Sequence, residues 1–378
     1  MVVHQPQPSA EKFVLVLQGG GALGAYQGGA YCTLSNAGYS PDWTCGISIG
    51  AINAAIIAGN KPENRASQLR RFWDLVSSRI TEAPILTDET SRRIFNEWSA
   101  ALTAATGAPG FFDPRYPPAI LMPRGSRHAL SFYDTSALRS TLEELVDFDI
   151  LNSGRMRLSV GAVEIRTGNF RFFDTAKERV GPEHIMASGA LPPGLPPILI
   201  GGEPYWDAGI VSNTPLQYVL ECGPRFDMCV FQIDLFSARG PLPNTLFDVY
   251  EREKEIRYSS RTRLNTDVFK ELQTIRRAIK RLDGVLPDEF RNLPDWQLLA
   301  PKGCDAAVTI VHLIHRRASY WSQTTDYDFS RFAMNEHWQA GIEDVKRTLE
   351  HPAWRTRQRP TEGVAVLDLT RDIEPKLS

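Results

Sequence analysis

The chain has 378 residues, a formal net charge of −2 and a hydrophobic share of 42%, which is ordinary for a globular protein with one large or two modest domains. The near-neutral charge gives no reason to expect a nucleic acid as a partner. The chain has five cysteines, an odd number, and no two of them form a C-x-x-C pair. This pattern indicates reduced thiols in a cytoplasmic protein and argues against a disulfide framework or a zinc finger.

The N-terminal part of the chain alternates between strand and helix signals. Residues 13–17 form a continuous apolar run, which is typical of a strand buried on both faces of a parallel sheet. A helix is predicted over 22–34, a short second strand over 43–47 and a helix of small residues over 51–58. This β-α-β-α order predicts a wound α/β sheet.

The central part of the chain is predicted to be mainly helical over 62–145, with an irregular stretch inside it. Residues 107–123 are rich in proline and aromatic side chains. Such a long loop is often a lid or a binding loop, and a surface connection packed on the core is the alternative. Two strands over 156–163 and 170–173 flank a hairpin signal.

The C-terminal part of the chain combines strands with a charged helical segment. A buried strand is predicted over 228–235 and a late strand over 307–314. Between them, residues 247–283 are charged and helical, with apolar residues on one stripe. The tail after residue 351 is rich in Pro, Arg and Asp and is predicted to be extended.

A glycine-rich segment, residues 19–24, follows the first predicted strand and opens the first helix. Its glycines allow backbone N–H groups to point at a bound anion, helped by the helix N-terminus. By itself the segment matches G-x-G-x-x-G and could form a dinucleotide-binding loop in a non-enzymatic module. That fingerprint requires an acidic residue at the end of the second strand, whereas Asp42 lies before that strand.

A G-x-S-x-G motif runs from Gly46 to Gly50, with Ser48 at its centre. It lies between the short second strand and the small-residue helix, the context in which a nucleophile elbow exposes a serine hydroxyl on a strained turn. The alternative is a tight turn whose serine caps the helix.

A third motif comprises Asp207, Ala208 and Gly209, at the end of a short extended segment. Thr214 and Pro215 then begin a helix, with threonine as the cap and proline at the first helical position. In isolation, Asp207 would be interpreted as an aspartate that forms a turn.

Together these motifs resemble the patatin-like phospholipases, which carry a glycine-rich oxyanion loop, a G-x-S-x-G elbow and an aspartate in a D-G-G or D-G-A motif. The segment 187–192 is similar to a further A-S-x-A-x-P segment of that family. The resemblance covers residues 12–235 and implies a three-layer α/β/α sandwich around a mainly parallel sheet. Residues 236–350 resemble a helical C-terminal extension of unknown role packed on that domain, and 351–378 would be an extended tail.

The resemblance implies a serine acyl hydrolase that cleaves carboxylic ester bonds of lipids. Asp207 would accept the proton of Ser48 as Ser48 attacks the ester carbonyl, and an acyl-enzyme would form. An aspartate is a weak base, so it must lie within hydrogen-bond reach of Ser48 to serve in this way. No cofactor and no metal are implied.

The resemblance also implies that the loop of Gly19, Gly20, Gly21 and Leu23 forms the oxyanion hole through backbone N–H groups. Family members often carry Arg or Lys where this chain has Leu23. The missing charge makes a neutral ester or a lysophospholipid about as plausible a substrate as a diacyl phospholipid.

An α/β-hydrolase with a Ser-Asp-His triad stays open as an alternative, with His312, His315 and His337 as the candidate histidines. Against it, Ser48 follows only the second predicted strand. No histidine and cysteine spacing indicates a metal enzyme. The sequence leaves open whether the chain forms a homo-oligomer.

Contact with a membrane is expected from its surface only. No basic flank followed by an apolar core occurs at the N-terminus, and no apolar run approaches the about 20 residues of a membrane span. The basic residues of the segment 276–281, at the end of an amphipathic helix, are either a contact for anionic lipid heads or a solvated face.

Overall fold

The computed structural model describes residues 11–86, 88–222, 226–259, 262–316 and 324–370. The strands, in chain order, are β1 Lys12–Leu17, β2 Trp43–Gly46, β3 Asp113–Pro114, β4 Tyr133–Asp134, β5 Arg157–Glu164, β6 Phe170–Asp174, β7 Ile198–Ile200, β8 Glu203–Asp207, β9 Met228–Asp234, β10 Val308–Ile314 and β11 Val364–Leu367. The α-helices are α1 Ala25–Asn36, α2 Ile49–Ala58, α3 Arg65–Val76, α4 Glu89–Thr106, α5 Ser136–Leu145, α6 Phe148–Leu151, α7 Pro182–Ser188, α8 Leu216–Glu221, α9 Leu246–Tyr258, α10 Thr262–Val285, α11 Asp288–Arg291, α12 Pro294–Leu299, α13 Arg331–Glu350 and α14 Pro352–Arg355.

The main sheet has the strand order β11-β10-β9-β1-β2-β5-β8-β7, with β6 paired to β5. The strands from β11 to β5 in this order pair in parallel, whereas β6, β7 and β8 pair antiparallel. The sheet is therefore mainly parallel, as the sequence predicts. Six strands of this sheet are predicted from the sequence, and each begins and ends within one or two residues of its predicted bounds. They are β1, β2, β5, β6, β9 and β10.

The alternating side chains of β1 divide the core into two layers. Phe13, Leu15 and Leu17 face the layer that contains α1, α2 and α13, whereas Val14 and Val16 face the layer of α8 and α10. A strand that is buried on both faces needs apolar residues at every position, which explains the continuous apolar run. The fold is thus a three-layer α/β/α sandwich.

The C-terminal part of the chain packs directly on the N-terminal part. Helix α13 lies against α1 so closely that a Cβ at Gly29 would sit 1.9 Å from the carbonyl oxygen of Trp338, and one at Gly341 would sit 2.1 Å from that of Tyr26. Only glycine permits this approach of two helix backbones. In addition, β10, which corresponds to the late strand predicted over 307–314, extends the main sheet beside β9.

The segment 351–378, predicted to be an extended tail, begins with the short helix α14 and then forms β11 at the edge of the sheet. Residues 371–378 lie outside the described residues, as do residues 1–10, for which no signal peptide is predicted. None of the helices in the described ranges combines the length and the apolar character that crossing a membrane requires.

Candidate active site

Ser48 occupies a strained turn between β2 and α2. Its φ of 55° and ψ of −126° make it the one non-glycine residue with positive φ in the part of the chain that the structure describes. Such a conformation is costly for a residue with a side chain and is typical of functional turns. The flanking glycines are needed, because a Cβ at Gly46 would sit 2.3 Å from the Gly50 carbonyl oxygen and one at Gly50 would sit 2.3 Å from that of Leu17.

The backbone of this turn is held by a residue from a distant segment. The N–H of Ser48 donates a hydrogen bond of 3.0 Å to the hydroxyl of Ser188, which is fully buried at the end of α7. Ser188 belongs to the segment 187–192, so the sequence predicts the motif but not the role of its serine.

Strand β5 explains why Ser48 and Asp207 meet although they are far apart in the chain. The end of β2 pairs with the first half of β5, where Gly46 lies opposite Val160. Strand β8 runs in the opposite direction beside the second half of β5 and ends with Asp207 opposite Ala162. The two strand ends therefore converge, and the turn that carries Ser48 comes next to Asp207.

The Asp207 carboxyl is buried and hydrogen bonded. Its Oδ1 accepts the backbone N–H of Gly209 at 2.7 Å, and the carboxyl lines the same cavity as Ser48. Burial raises the pKa of Asp207 from 3.8 to about 7, and the side chain of Ser48 and the N–H of Gly209 lower the pKa by a smaller amount. Ala208 is buried beside it in a short 3-10 turn. Asp207 is thus a stronger base than an ordinary aspartate.

The glycine loop after β1 faces Ser48. A Cβ at Gly19 would sit 2.4 Å from Oδ1 of Asn213 and 3.0 Å from Cβ of Ser48, so a larger residue has no room there. Gly19 donates its own N–H to the Asn213 carbonyl at 3.2 Å. Among the described residues, the N–H groups of Gly20 and Gly21 have no backbone or side-chain acceptor within hydrogen-bond distance.

Leu23 does not join the site that the sequence predicts for it. Its N–H donates to the Gly20 carbonyl at 3.2 Å inside the 3-10 turn of residues 21–24, and its side chain is fully buried in the core. It does not line the cavity next to Ser48. The backbone groups available for an anion are therefore those of Gly20 and Gly21.

A cavity of about 160 Å³ opens beside Ser48 and Asp207. The glycine loop forms one wall, and most of the remaining walls are apolar. The side chains on those walls come from six parts of the chain and include Ile49, Ala104, Phe111, Phe112, Tyr133, Leu191, Pro192, Pro193, Leu195, Phe236 and Phe329. The loop predicted over 107–123 thus contributes two buried aromatic rings to this cavity.

The C-terminal part of the chain supplies the charged side chains at the cavity wall other than Asp207. The ammonium of Lys254 pairs with the carboxylate of Asp326 at 2.5 Å and lies 4.9 Å from the centre of the Tyr327 ring. Asp326 lies directly over the glycine loop, because a Cβ at Gly21 would sit 2.3 Å from its carbonyl oxygen. No local pattern in the sequence indicates that these residues reach the site.

Asn213 connects three parts of the site. Its side-chain amide donates to the carbonyl oxygens of Gly19 at 2.9 Å and of Tyr258 at 3.0 Å. It thereby ties the glycine loop to the end of α9. Asn213 stands in the segment that follows the aspartate motif, but only the structure assigns its amide to this bridge.

The histidines of the candidate triad lie away from Ser48. His312 is buried on β10, 3.9 Å from Asp234, and His315 contacts His337 at 3.1 Å. None of the three lines the cavity.

Among the residues that the structure describes, no geometry matches the dinucleotide-binding or the metal-enzyme interpretation. Asp42, the acidic residue nearest the dinucleotide pattern, binds Lys12 and the N–H of Phe13 at the opposite end of β1 from the glycine loop. Within the described ranges, no three His, Cys, Asp or Glu side chains cluster so that they could hold a metal ion.

Two family profiles match the chain. Residues 15–220, more than half of the chain, match the profile of a family described as patatin-like phospholipase, and residues 256–361 match a second profile described as patatin phospholipase. A search of the curated proteins found no match.

Solved structures similar to this one include VipD from Legionella pneumophila, with 13% identity, a TM-score of 0.34, and coverage of 90% of this chain and 67% of VipD. Another is human GIVD cytosolic phospholipase A2, with 11% identity, a TM-score of 0.32 and coverage of 61% of this chain. The matched region spans 44% of that human chain.

Proposed function

This chain belongs to the patatin-like phospholipase family, a family of lipid acyl hydrolases, and we propose that it cleaves carboxylic esters of lipids with Ser48 and Asp207 as a catalytic dyad. The observation that carries the proposal is that Ser48, on its strained turn, and the buried carboxyl of Asp207 line the same apolar cavity, and that the Ser48 side chain lowers the pKa of this carboxyl. A serine hydroxyl beside a base, facing an acyl-sized cavity, is the arrangement that nucleophilic acyl transfer requires.

In the first half-reaction, the Ser48 oxygen attacks the ester carbonyl carbon while its proton passes to Asp207. The carbonyl π electrons move to the oxygen, and the N–H groups of Gly20 and Gly21 stabilise the resulting oxyanion. When the carbonyl re-forms, the alcohol leaves with the proton that Asp207 holds. The acyl group is then bound to Ser48 as an ester.

The second half-reaction repeats these steps with water as the nucleophile. Asp207 accepts a proton from water as the water oxygen attacks the acyl carbon, and it returns that proton to Ser48 when the fatty acid leaves. The raised pKa of Asp207 supports this role, because a general base works best when its pKa lies near the working pH.

The substrate has an acyl chain and carries little net charge where it contacts the cavity. Aromatic and aliphatic side chains form most of the walls, and the pair of Lys254 and Asp326 is neutral overall. These features support a phospholipid, a lysophospholipid or a neutral acyl ester, and they disfavour a strongly charged small molecule.

Hydrolysis of nitrophenyl esters of increasing chain length tests the proposal. We expect Ser48→Ala and Asp207→Asn each to lower kcat/KM by about 10³-fold or more, which is the size of the loss when one catalytic residue of a serine hydrolase is removed. Ser212→Ala is the matched control, because Ser212 is exposed, lies close to Asp207 in the chain and does not line the cavity.

Covalent labelling gives a second, independent readout. A fluorophosphonate probe should modify the wild-type protein at Ser48 and leave the Ser48→Ala variant unlabelled. Activity or labelling that survives in Ser48→Ala would remove Ser48 as the nucleophile.

A further inference from the structure

The segment 115–132 leaves the body of the protein next to the candidate active site and returns to it. It will be called the 115–132 loop. Its ends are held together by the short pairing of β3 with β4 and by the hydrogen bond from the Arg115 N–H to the Phe132 carbonyl at 3.0 Å. Phe132 in turn donates its N–H to the Pro193 carbonyl at 3.1 Å. The base of the loop is therefore fixed relative to the cavity.

The outer part of the 115–132 loop exposes large apolar side chains. The exposed fractions are 96% for Tyr116, 90% for Ile120, 70% for Leu121 and 59% for Phe132. Single exposed apolar residues are normal, but several of this size in one short segment indicate a surface that a partner covers.

The charge of the 115–132 loop has one sign. The loop contains no Asp or Glu. Arg124 and Arg127 are exposed, and neither forms an ion pair with the described residues. Arg115 differs, because it is nearly buried and pairs with Asp134 at 3.2 Å. The exposed part of the loop is thus apolar and positively charged.

From these features we propose that the 115–132 loop inserts into the surface of an anionic lipid bilayer and holds the cavity mouth against it. Apolar side chains that enter the boundary between head groups and acyl chains, with arginines beside them, bind anionic membranes by burial of apolar area and by charge. Aromatic side chains such as those of Tyr116 and Phe132 favour this boundary.

The position of the loop fits this function as well as its composition. Phe112, three residues before the loop, and Tyr133, directly after it, both line the cavity, and their rings pack with centres 4.9 Å apart. A lipid drawn from a bilayer under the loop would therefore meet the cavity without crossing open water. This inference rests on the proposed function, because it assigns the loop to delivery of the same lipid substrate.

Vesicle binding tests the proposal without the need for catalysis. Sedimentation uses the full-length Ser48→Ala protein, so that the vesicles are not consumed, with phosphatidylcholine alone or mixed with phosphatidylglycerol. We expect binding that increases with phosphatidylglycerol. Ile120→Glu with Leu121→Glu should weaken it about tenfold or more. Arg124→Gln with Arg127→Gln should reduce the preference for anionic vesicles about fivefold per arginine.

Control variants separate the loop from the rest of the surface and from the chemistry. Ile275→Glu changes an isoleucine that is 50% exposed on α10 and should leave vesicle binding unchanged. In a chain that retains Ser48, the Ile120→Glu and Leu121→Glu substitutions should leave hydrolysis of a soluble short-chain ester unchanged and slow hydrolysis of vesicle lipids. If the proposed function is wrong, the protein will hydrolyse no ester. Vesicle binding is measured separately and would still show whether the loop inserts into a bilayer.

Three results would overturn the proposal. Vesicle binding that is insensitive to the loop substitutions would show that the loop does not insert. Loss of binding in Ile275→Glu instead would assign the contact to the basic, amphipathic helix α10. If the protein with an unchanged loop binds neither kind of vesicle, the loop does not insert into a bilayer, and a protein partner would be the occupant of this surface.

Discussion

The hydroxyl of Ser188 accepts the backbone N–H of Ser48 at 3.0 Å, so a side chain at the end of α7 holds the strained turn of the candidate nucleophile. Because Ser188 is fully buried, no solvent can replace its hydroxyl without a rearrangement. We assign it as a positioning residue, since it acts through the backbone of Ser48 and does not line the cavity.

Ser188→Ala should lower kcat about tenfold with little change in KM. Removing the acceptor leaves a partly buried N–H unsatisfied, which costs on the order of 1 kcal/mol and lets the turn relax from its positive φ. Ser188→Thr, which keeps the hydroxyl, should recover part of the rate. A rise in KM at constant kcat would contradict the positioning role, because it would indicate lost substrate binding instead.

The activity should depend on pH through Asp207. Since burial raises its pKa to about 7 in the folded protein, the carboxylate needed as the base is largely protonated below that pH. We expect kcat/KM for a neutral ester to increase with pH up to about 7 and then to level off. A profile that is already flat between about pH 5 and about pH 8 would show that Asp207 is not the group whose ionisation limits the rate.

Stability should respond to the same group with the opposite trend. The folded-state pKa is about 7 and the ordinary value is 3.8, so between these values Asp207 carries a proton in the folded state and has lost it in the unfolded state. The free energy of unfolding therefore decreases as pH increases across this window. Asp207→Asn cannot ionise, so it should be more stable than the wild type above pH 7, by on the order of a few kcal/mol.

Urea unfolding at about pH 5 and about pH 8 measures this difference. The control is Asp288→Asn, which changes an aspartate on the surface and should keep the pH dependence of the wild type. Equal pH dependence in wild type and Asp207→Asn would mean that the carboxyl is not held protonated by burial.

The glycine loop should tolerate no side chain at Gly19. The Cβ of an alanine there would approach Asn213 to 2.4 Å and the Ser48 Cβ to 3.0 Å, so either the loop or the nucleophile must move. We expect Gly19→Ala to lower kcat about 100-fold, the effect of displacing an oxyanion donor in other enzymes. Gly284→Ala is the matched control, because a Cβ there meets nothing within 4 Å and should leave the rate unchanged.

Much of this fold and part of the site could be predicted from the sequence, because their signals are local. The apolar run of β1 predicts a strand that is buried on both faces, and the glycines around Ser48 predict a tight turn, so each pattern concerns the structure of its own segment. Leu23 shows the limit of such reasoning. Its place in the motif predicts an oxyanion donor, but the direction of its N–H depends on the 3-10 turn, where the Gly20 carbonyl accepts it.

Contacts between distant segments could not be predicted in this way. The apolar stripe predicted over 247–283 does lie on a helix, α10. However, Val268, Leu272 and Ile275 on this stripe are about half exposed, whereas Phe269 and Ile279 of the same helix are buried. Periodicity indicates that a helix has an apolar face but not which neighbour covers it. The approach of Lys254 and Asp326 to the site is likewise a contact between segments that are distant in the sequence, so no local pattern predicts it.

The pair of Lys254 and Asp326 should influence which head group the enzyme accepts. Lys254→Met removes the ammonium that pairs with the Asp326 carboxylate beside the cavity, and a phosphate near that carboxylate would then be repelled. We expect KM for a lysophospholipid to increase about tenfold, and KM for a monoacylglycerol of the same chain length to change little. Lys254→Met with Asp326→Asn restores a neutral wall and should recover the wild-type ratio of the two KM values. Equal changes for both lipids in the single variant would instead mean that the pair holds the glycine loop in place and does not select the head group.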